Sequence, residues 1–194
     1  MAPMSSDPAS PPSGRVIERP DSTEYDPYFA GYVGLVGSED VLRVLEDQRA
    51  VIRQVAAGVP AARETFAYAP GKWSIRQVFG HMADTERVFA HRAFCISRGE
   101  PATLPSFDEN AYVQASSAAD VSLSELADEL VQVREANLRF IRRLDGETSR
   151  RLGRVSSGSA SVRALAYMMA GHLRHHLRVL AERYGVTVPP GATG

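Results

Sequence analysis

The chain has 194 residues, enough for one sizeable hydrophobic core and short for two. Its 22 Lys and Arg against 23 Asp and Glu give a formal net charge of −1, spread along the chain, which leaves no electrostatic footprint for nucleic acid or an anionic membrane. A single cysteine, Cys95, excludes an internal disulfide framework, and no apolar run approaches the roughly 18 to 20 residues of a membrane span.

The N-terminus carries neither a basic n-region nor an apolar h-region, so a cytoplasmic protein without a secretory signal is expected. Residues 1–22 are rich in Pro, Ser and charge and read as a disordered tail. A helical domain is expected over 23–188 and a short C-terminal tail over 189–194. The cluster from Tyr25 to Val33 is aromatic without helical or strand period, and is expected to dock on the body of the fold.

Four helical segments follow, over 39–57, 75–98, 123–145 and 162–184. Ser38, Ser74, Ser122 and Ser161 are placed as N-caps, whose hydroxyls accept from first-turn N–H groups. Ser74 with Gln77 and Ser122 with Glu125 have capping-box spacing. Gly58, Gly99, Gly146 and Gly185 are placed just past the C-termini, where a left-handed residue closes a helix, and Pro60 and Pro101 make continuation unfavourable. No stretch alternates long enough to compete as a strand.

Four amphipathic helices of similar length imply an all-α four-helix bundle. The connection from Gly99 to Ser122 is long for a bundle, where about 2 to 8 residues is usual, and suits a crossover joining two parallel helices. The expected topology is up-down-down-up, with the second and fourth helices antiparallel.

The five histidines separate by helical phase. On the fourth helix His176 falls inside the apolar stripe of Leu165, Met169, Leu173 and Leu180, and His172 flanks it, whereas His175 points towards Arg174 and Arg178. On the second, His81 lies at the edge of the stripe of Val78, Met82 and Phe89, and His91 lies on the polar side. In an antiparallel pair the level of His81 matches roughly residue 177, which sets it beside His176. A lone histidine on such a face is ordinarily a hydrogen-bonded core residue. A spaced pair with a level-matched third reads better as three ligands of one ion.

Familiar metal motifs fail. Leu173 follows His172, so His-Glu-x-x-His is absent, and no Glu stands three residues before any histidine as in di-iron bundles. An open mononuclear three-histidine site remains. Glu86 falls within an apolar stripe and is expected to meet a cation or to support the site, as is His175. Arg92 is either that cation or a clamp for an anionic substrate. Cys95 reads as an incidental small residue, and Trp73 as a staple fixing the entry to the second helix.

The segments Gly71 to His81, Asp84 to Arg92, Leu104 to Tyr112 and Gly171 to His176 together resemble the DinB/YfiT-like metalloenzyme superfamily, over most of residues 24–185. The resemblance implies an up-down-down-up bundle, a homodimer, and a zinc or nickel ion held by His81, His172 and His176. It also implies a thiol-dependent S-transferase acting on an electrophilic small molecule, with a low-molecular-weight thiol as cosubstrate. On that reading Asp108 and Tyr112, in the loop from Leu104, lie over the metal and help to bind the cosubstrate. The alternatives are a metal-dependent hydrolase and a non-catalytic, stress-induced metal-binding protein.

Overall fold

A computed structural model describes residues 16–156 and 158–194. The helices are α1 (Ala30–Val36), α2 (Val41–Ala57), α3 (Ile75–Ser97), α4 (Glu109–Ala115), α5 (Leu123–Ile141), α6 (Gly146–Arg150) and α7 (Val162–Tyr184). A small antiparallel hairpin, β1 (Leu152–Val155) and β2 (Gly158–Ser161), precedes α7 and pairs Leu152 with Ser161. Among the described residues no helix is long and apolar enough to cross a membrane.

Side-chain capping sets most of the boundaries. Ser74 and Ser122 accept from the N–H groups of Gln77 and Glu125, whose side chains accept in return from the two serine N–H groups. Ser161 accepts from Ala164 N. Three expectations differ. Asp40, not Ser38, caps α2, its carboxylate accepting from Leu42 N at 3.0 Å one residue before the first buried position. Gly58 is right-handed, with φ −79°, so Pro60 ends this segment without a left-handed turn. Helix α5 stops at Ile141, because the Asp145 carboxylate takes the Thr148 N–H and begins α6, putting Gly146 inside a helix. The hairpin escapes a search for alternation because each strand has only four residues.

Hydrogen bonds along the helices fix their directions. Arg76 reaches the Ala119 carbonyl, Arg87 reaches Glu129 and the Phe94 ring meets that of Phe140, so α3 and α5 run parallel. Arg49 reaches Glu135 and Arg53 reaches Asp128, so α2 and α5 are antiparallel. Tyr184 donates to the Trp73 carbonyl at 2.7 Å, and Arg151, ahead of α7, donates to that of Ser97, so α3 and α7 are antiparallel. This is up-down-down-up. The connection from α3 to α5 is the crossover: Leu104 forms a parallel bridge to Val155, and the chain then descends along α3 until Ala118 faces Gly80. A Cβ at Gly80 would stand 2.6 Å from that of Ala118.

The core is two apolar clusters with a polar layer between them. One holds Leu45, Phe89, Leu138 and Ala170; the other holds Ile52, Met82, Val131 and Leu173. Between them, Arg134 donates to Glu86 Oε1 at 2.6 Å and Oε2 at 2.9 Å, and to Gln48 Oε1 at 2.5 Å. Gln48 donates onward to the Ala170 carbonyl at 2.8 Å, and Asn137 donates to Glu86. Every member of the layer has a partner, which is the condition for burying such groups.

Residues 1–15 of the expected tail lie outside the described residues, and 16–22 pack on the bundle. Ile17 is buried, and Arg163 pairs with Glu18 and Glu24. At the other end Ala192 packs on the second apolar cluster, and a Cβ at Gly194 would overlap the Leu35 carbonyl.

Glycine at 171 is required by contact. A Cβ there would overlap the Tyr32 carbonyl, so α1 lies directly on the backbone of α7 one residue before His172. Helix propensity alone would make Gly171→Ala stabilising by about 1 kcal/mol. The expected result has the opposite sign: a loss at or above the upper end of the roughly 1–3 kcal/mol typical of overpacking, read from denaturant midpoints.

Candidate metal centre

His81 projects from the second turn of α3, and His172 and His176 from successive turns of α7. Their Nε2 atoms form a near-equilateral triangle: His81 to His172 is 3.0 Å, His81 to His176 is 3.1 Å, and His172 to His176 is 3.0 Å. All three side chains are buried, and among the described residues they are the group whose donor atoms converge. Three imidazole nitrogens aimed at one point cannot all satisfy one another as donors and acceptors. A cation can satisfy them together. Nitrogens about 2.0–2.1 Å from a tetrahedral zinc stand roughly 3.3 Å apart, close to the spacing found, so the donor set fits such an ion.

Electrostatics prepares these rings as ligands. Burial pushes His81 down to about 4, with the charge of His175 adding to the effect. Burial likewise holds His172 and His176 well below the usual histidine range, with the nearby charges of His81 and His175 adding to the effect at both. All three are therefore neutral at pH 7, with lone pairs available. Because the folded values lie below the unfolded one of about 6.5, the unfolded chain binds more protons in the window between them. The metal-free protein is expected to keep its full stability above pH 6.5 and to lose it as pH falls from there towards 4, in thermal melts across that range.

The centre lies in the wall of a cavity of about 530 Å³, within the range of small-molecule sites. Its apolar lining is Tyr28, Phe29, Tyr32, Trp73, Phe89 and Phe107. Trp73 stands 4.7 Å from the His81 ring, and Tyr32 meets His172 edge-on at 5.4 Å. Burial above all pushes the Tyr32 phenol up to about 12, so it stays protonated. The α1 segment thus supplies part of the wall, and Trp73, expected as a staple at the helix entry, faces the site. Neither role has a signal in helical phase, since both residues lie outside the four long helices.

The other expected site residues distribute unevenly. His175 lines the cavity beside Tyr32, and its ring nitrogens stand outside the Nε2 triangle. Arg92 also lines it, donating from Nη2 to the Pro105 carbonyl at 2.6 Å. Glu86 turns away from the site and pairs with Arg134, so its cation comes from α5 and not from Arg92. The Leu104 to Tyr112 loop does cover the cavity, but through Ser106, Phe107 and Glu109. Asp108 caps α4, accepting from Asn110 N at 2.9 Å and Ala111 N at 3.1 Å, and the exposed Tyr112 packs on Phe107. Cys95 is half-buried on α3, 3.6 Å from Nε2 of the exposed His91 and away from the cavity.

A family model described as the DinB superfamily matches residues 44–180. The chain belongs to the DinB superfamily. Among solved structures this DinB protein is similar to YfiT from Bacillus subtilis, described as a probable metal-dependent hydrolase with an unusual four-helix bundle topology. The two share 19% identity and a TM-score of 0.64, over 76% of this chain and 87% of that one. It is also similar to a DinB-like protein, YjoA, from Bacillus subtilis, at 18% identity and a TM-score of 0.53, over 78% and 96% of the two chains. At these identities the structural likeness shows a shared fold and nothing more. No functionally curated protein matches the sequence.

Proposed function

We propose that this protein is a divalent-metal-dependent enzyme, with zinc or nickel held by His81, His172 and His176, that transfers a low-molecular-weight thiol to an electrophilic small molecule. The observation that carries the reading is the triangle of three neutral, buried imidazole nitrogens, 3.0–3.1 Å apart, in the wall of a roomy cavity. A bound divalent cation would lower the pKa of a thiol or water brought to it.

The chain's own residues supply the rest. His81, His172 and His176 would hold the ion by three nitrogens from the cavity wall, and a three-ligand set is the kind that lets a catalytic ion bind a further group. Trp73, Phe89 and Phe107 line that cavity with apolar surface, which excludes water and favours a sulfur nucleophile and an organic acceptor. No cysteine stands among the described residues that line the cavity, whose hydroxyls are those of Tyr28, Tyr32, Thr85 and Ser106, so a sulfur nucleophile would come from a cosubstrate. The role is that of a detoxifying enzyme.

Hydrolysis is the second reading, favoured by the description of YfiT as a probable metal-dependent hydrolase. It would need a base for water. The carboxylates on the cavity wall are those of Asp26, which accepts from Tyr28 N, and of the exposed Glu109. A thiol, with a pKa near 8.5, needs less assistance than water, which supports transfer over hydrolysis.

The test is an assay of metal-quantified protein with an electrophile such as monobromobimane, with and without a panel of small thiols. Thiol-dependent turnover above the spontaneous rate, lost on chelation, is the expected result. Turnover without thiol assigns the site to hydrolysis. No turnover, with a large fall in Tm on chelation, makes the ion structural.

A further inference from the structure

Four buried side-chain polar atoms lack a partner among the described residues: Thr85 Oγ1, Arg92 Nε, Arg174 Nε and His176 Nδ1. Arg174 is otherwise engaged with Glu39. The other three residues line the cavity, and two of them, Thr85 and Arg92, lie outside the histidine triangle. An unpaired buried polar atom costs about 1–3 kcal/mol, so two in one wall need a reason.

Arg92 is the more telling. It is 7% exposed, its one hydrogen bond among the described residues goes to a backbone carbonyl, and no carboxylate of those residues lies within ion-pair distance. Elsewhere in this protein a buried arginine has an acid: Arg134 has Glu86, Arg163 has Glu24 and Arg174 has Glu39. A guanidinium keeps its charge even when desolvated, and its planar fork matches a carboxylate. Thr85 lies between His81 and Arg92 on the same wall, one turn beyond the ligand. Arg92 lies seven residues, about two turns, beyond Thr85 on the same face of α3, and both line the cavity that the histidines line.

We infer that Arg92, with Thr85, forms a subsite for the carboxylate of a small organic acid, separate from the three-histidine centre and on its Phe89 side. The wall's remaining charges bound the ligand. Asp26 and Glu109 on the same wall repel a phosphate dianion about twice as strongly as a monoanion, so the arginine's ligand carries a single negative charge. The inference deepens the proposed function by naming a substrate class: either the thiol or its acceptor carries a carboxylate some distance from the reacting atom.

The test is a titration of the full chain with benzoate and with its neutral analogue benzamide, run on zinc-loaded and on chelator-treated protein. Trp73, the only tryptophan, reports occupancy by fluorescence from beside His81. Benzoate is expected to bind at least tenfold more tightly than benzamide in both forms. Arg92→Met is expected to abolish the preference while zinc affinity and Tm are held or raised; Arg92→Lys keeps part of it; and Thr85→Val weakens benzoate severalfold. On the zinc-loaded chain, an advantage of 3-mercaptopropionate over 2-mercaptoethanol that is lost in Arg92→Met assigns the carboxylate to the thiol, and the absence of that advantage assigns it to the acceptor. Equal binding of benzoate and benzamide overturns the inference, as does a preference that survives Arg92→Met. So does a preference present only with zinc, which puts the carboxylate on the ion, or inorganic phosphate competing as well as benzoate. A lower Tm in Arg92→Met would instead make the arginine a structural tie to Pro105. If the chain binds no zinc, the proposed function fails, and the chelated arm still decides this one.

Discussion

His176→Ala is expected to weaken zinc or nickel binding by more than about 100-fold, since loss of a ligand must exceed the 10–100-fold cost of losing a mere supporting hydrogen bond. The side chain is buried, its Nε2 stands 3.0–3.1 Å from the other two, and its Nδ1 has no partner among the described residues. Nothing else in the centre can replace it: His175, one residue away, points its ring outside the triangle. The consequences for stability differ with and without metal. In the wild-type chain an ion at one hundred times its Kd adds about 2.7 kcal/mol by mass action, so Tm rises with metal concentration. In His176→Ala that rise is expected to vanish, whereas the metal-free Tm changes little, because the ring removed carries an unsatisfied buried nitrogen. Competition against a chromophoric chelator gives the affinity, and paired melts with metal or with chelator give the rest. A variant that melts lower without metal while binding it normally would make His176 a packing residue.

Helical phase was enough to bring His81, His172 and His176 together because all three sit inside long, well-capped helices, where about 100° per residue fixes direction and rise fixes level. Where the backbone departs from a long helix, that logic has no purchase. Tyr32 reaches the site from a seven-residue helix pressed onto Gly171, and Phe107 from the crossover. Asp108 shows the same limit in reverse: an acidic residue in the right loop was legible, but its carboxylate serves the α4 cap. Glu86 was legible as a buried charge in need of a cation. Its partner was not, since Arg134 lies on α5, and pairing across helices depends on how the bundle closes. The hairpin and the early end of α5 were invisible for a related reason: four-residue strands and a competing Asp145 cap carry little signal beside the long segments around them.

Arg134→Met is expected to cost about 3–5 kcal/mol, the range for leaving the other half of a buried pair uncompensated. Arg134 is 1% exposed and Glu86 3%, and the bond is bidentate at 2.6 and 2.9 Å, so neither water nor another cation can replace the guanidinium. Removing both charges is a different experiment. Glu86→Leu with Arg134→Met replaces a desolvated pair by apolar surface continuous with the clusters on either side, which is often neutral or stabilising. The double variant should therefore recover most of the loss, short by the cost of Gln48 Oε1 losing its donor. If two leucine-like residues fill this layer so readily, its retention needs a reason beyond stability. The layer ties α2, α3 and α5 together, and through Gln48 to the Ala170 carbonyl it holds α7 two residues before His172. Apolar side chains can slide; a bidentate pair and an amide bridge cannot. The double variant is accordingly expected to melt near the wild type in the metal-free state yet to bind zinc about tenfold more weakly, the smaller cost typical of supporting shells. Unchanged zinc affinity in a stable double variant would reduce the layer to a buried ion pair with no bearing on the histidines.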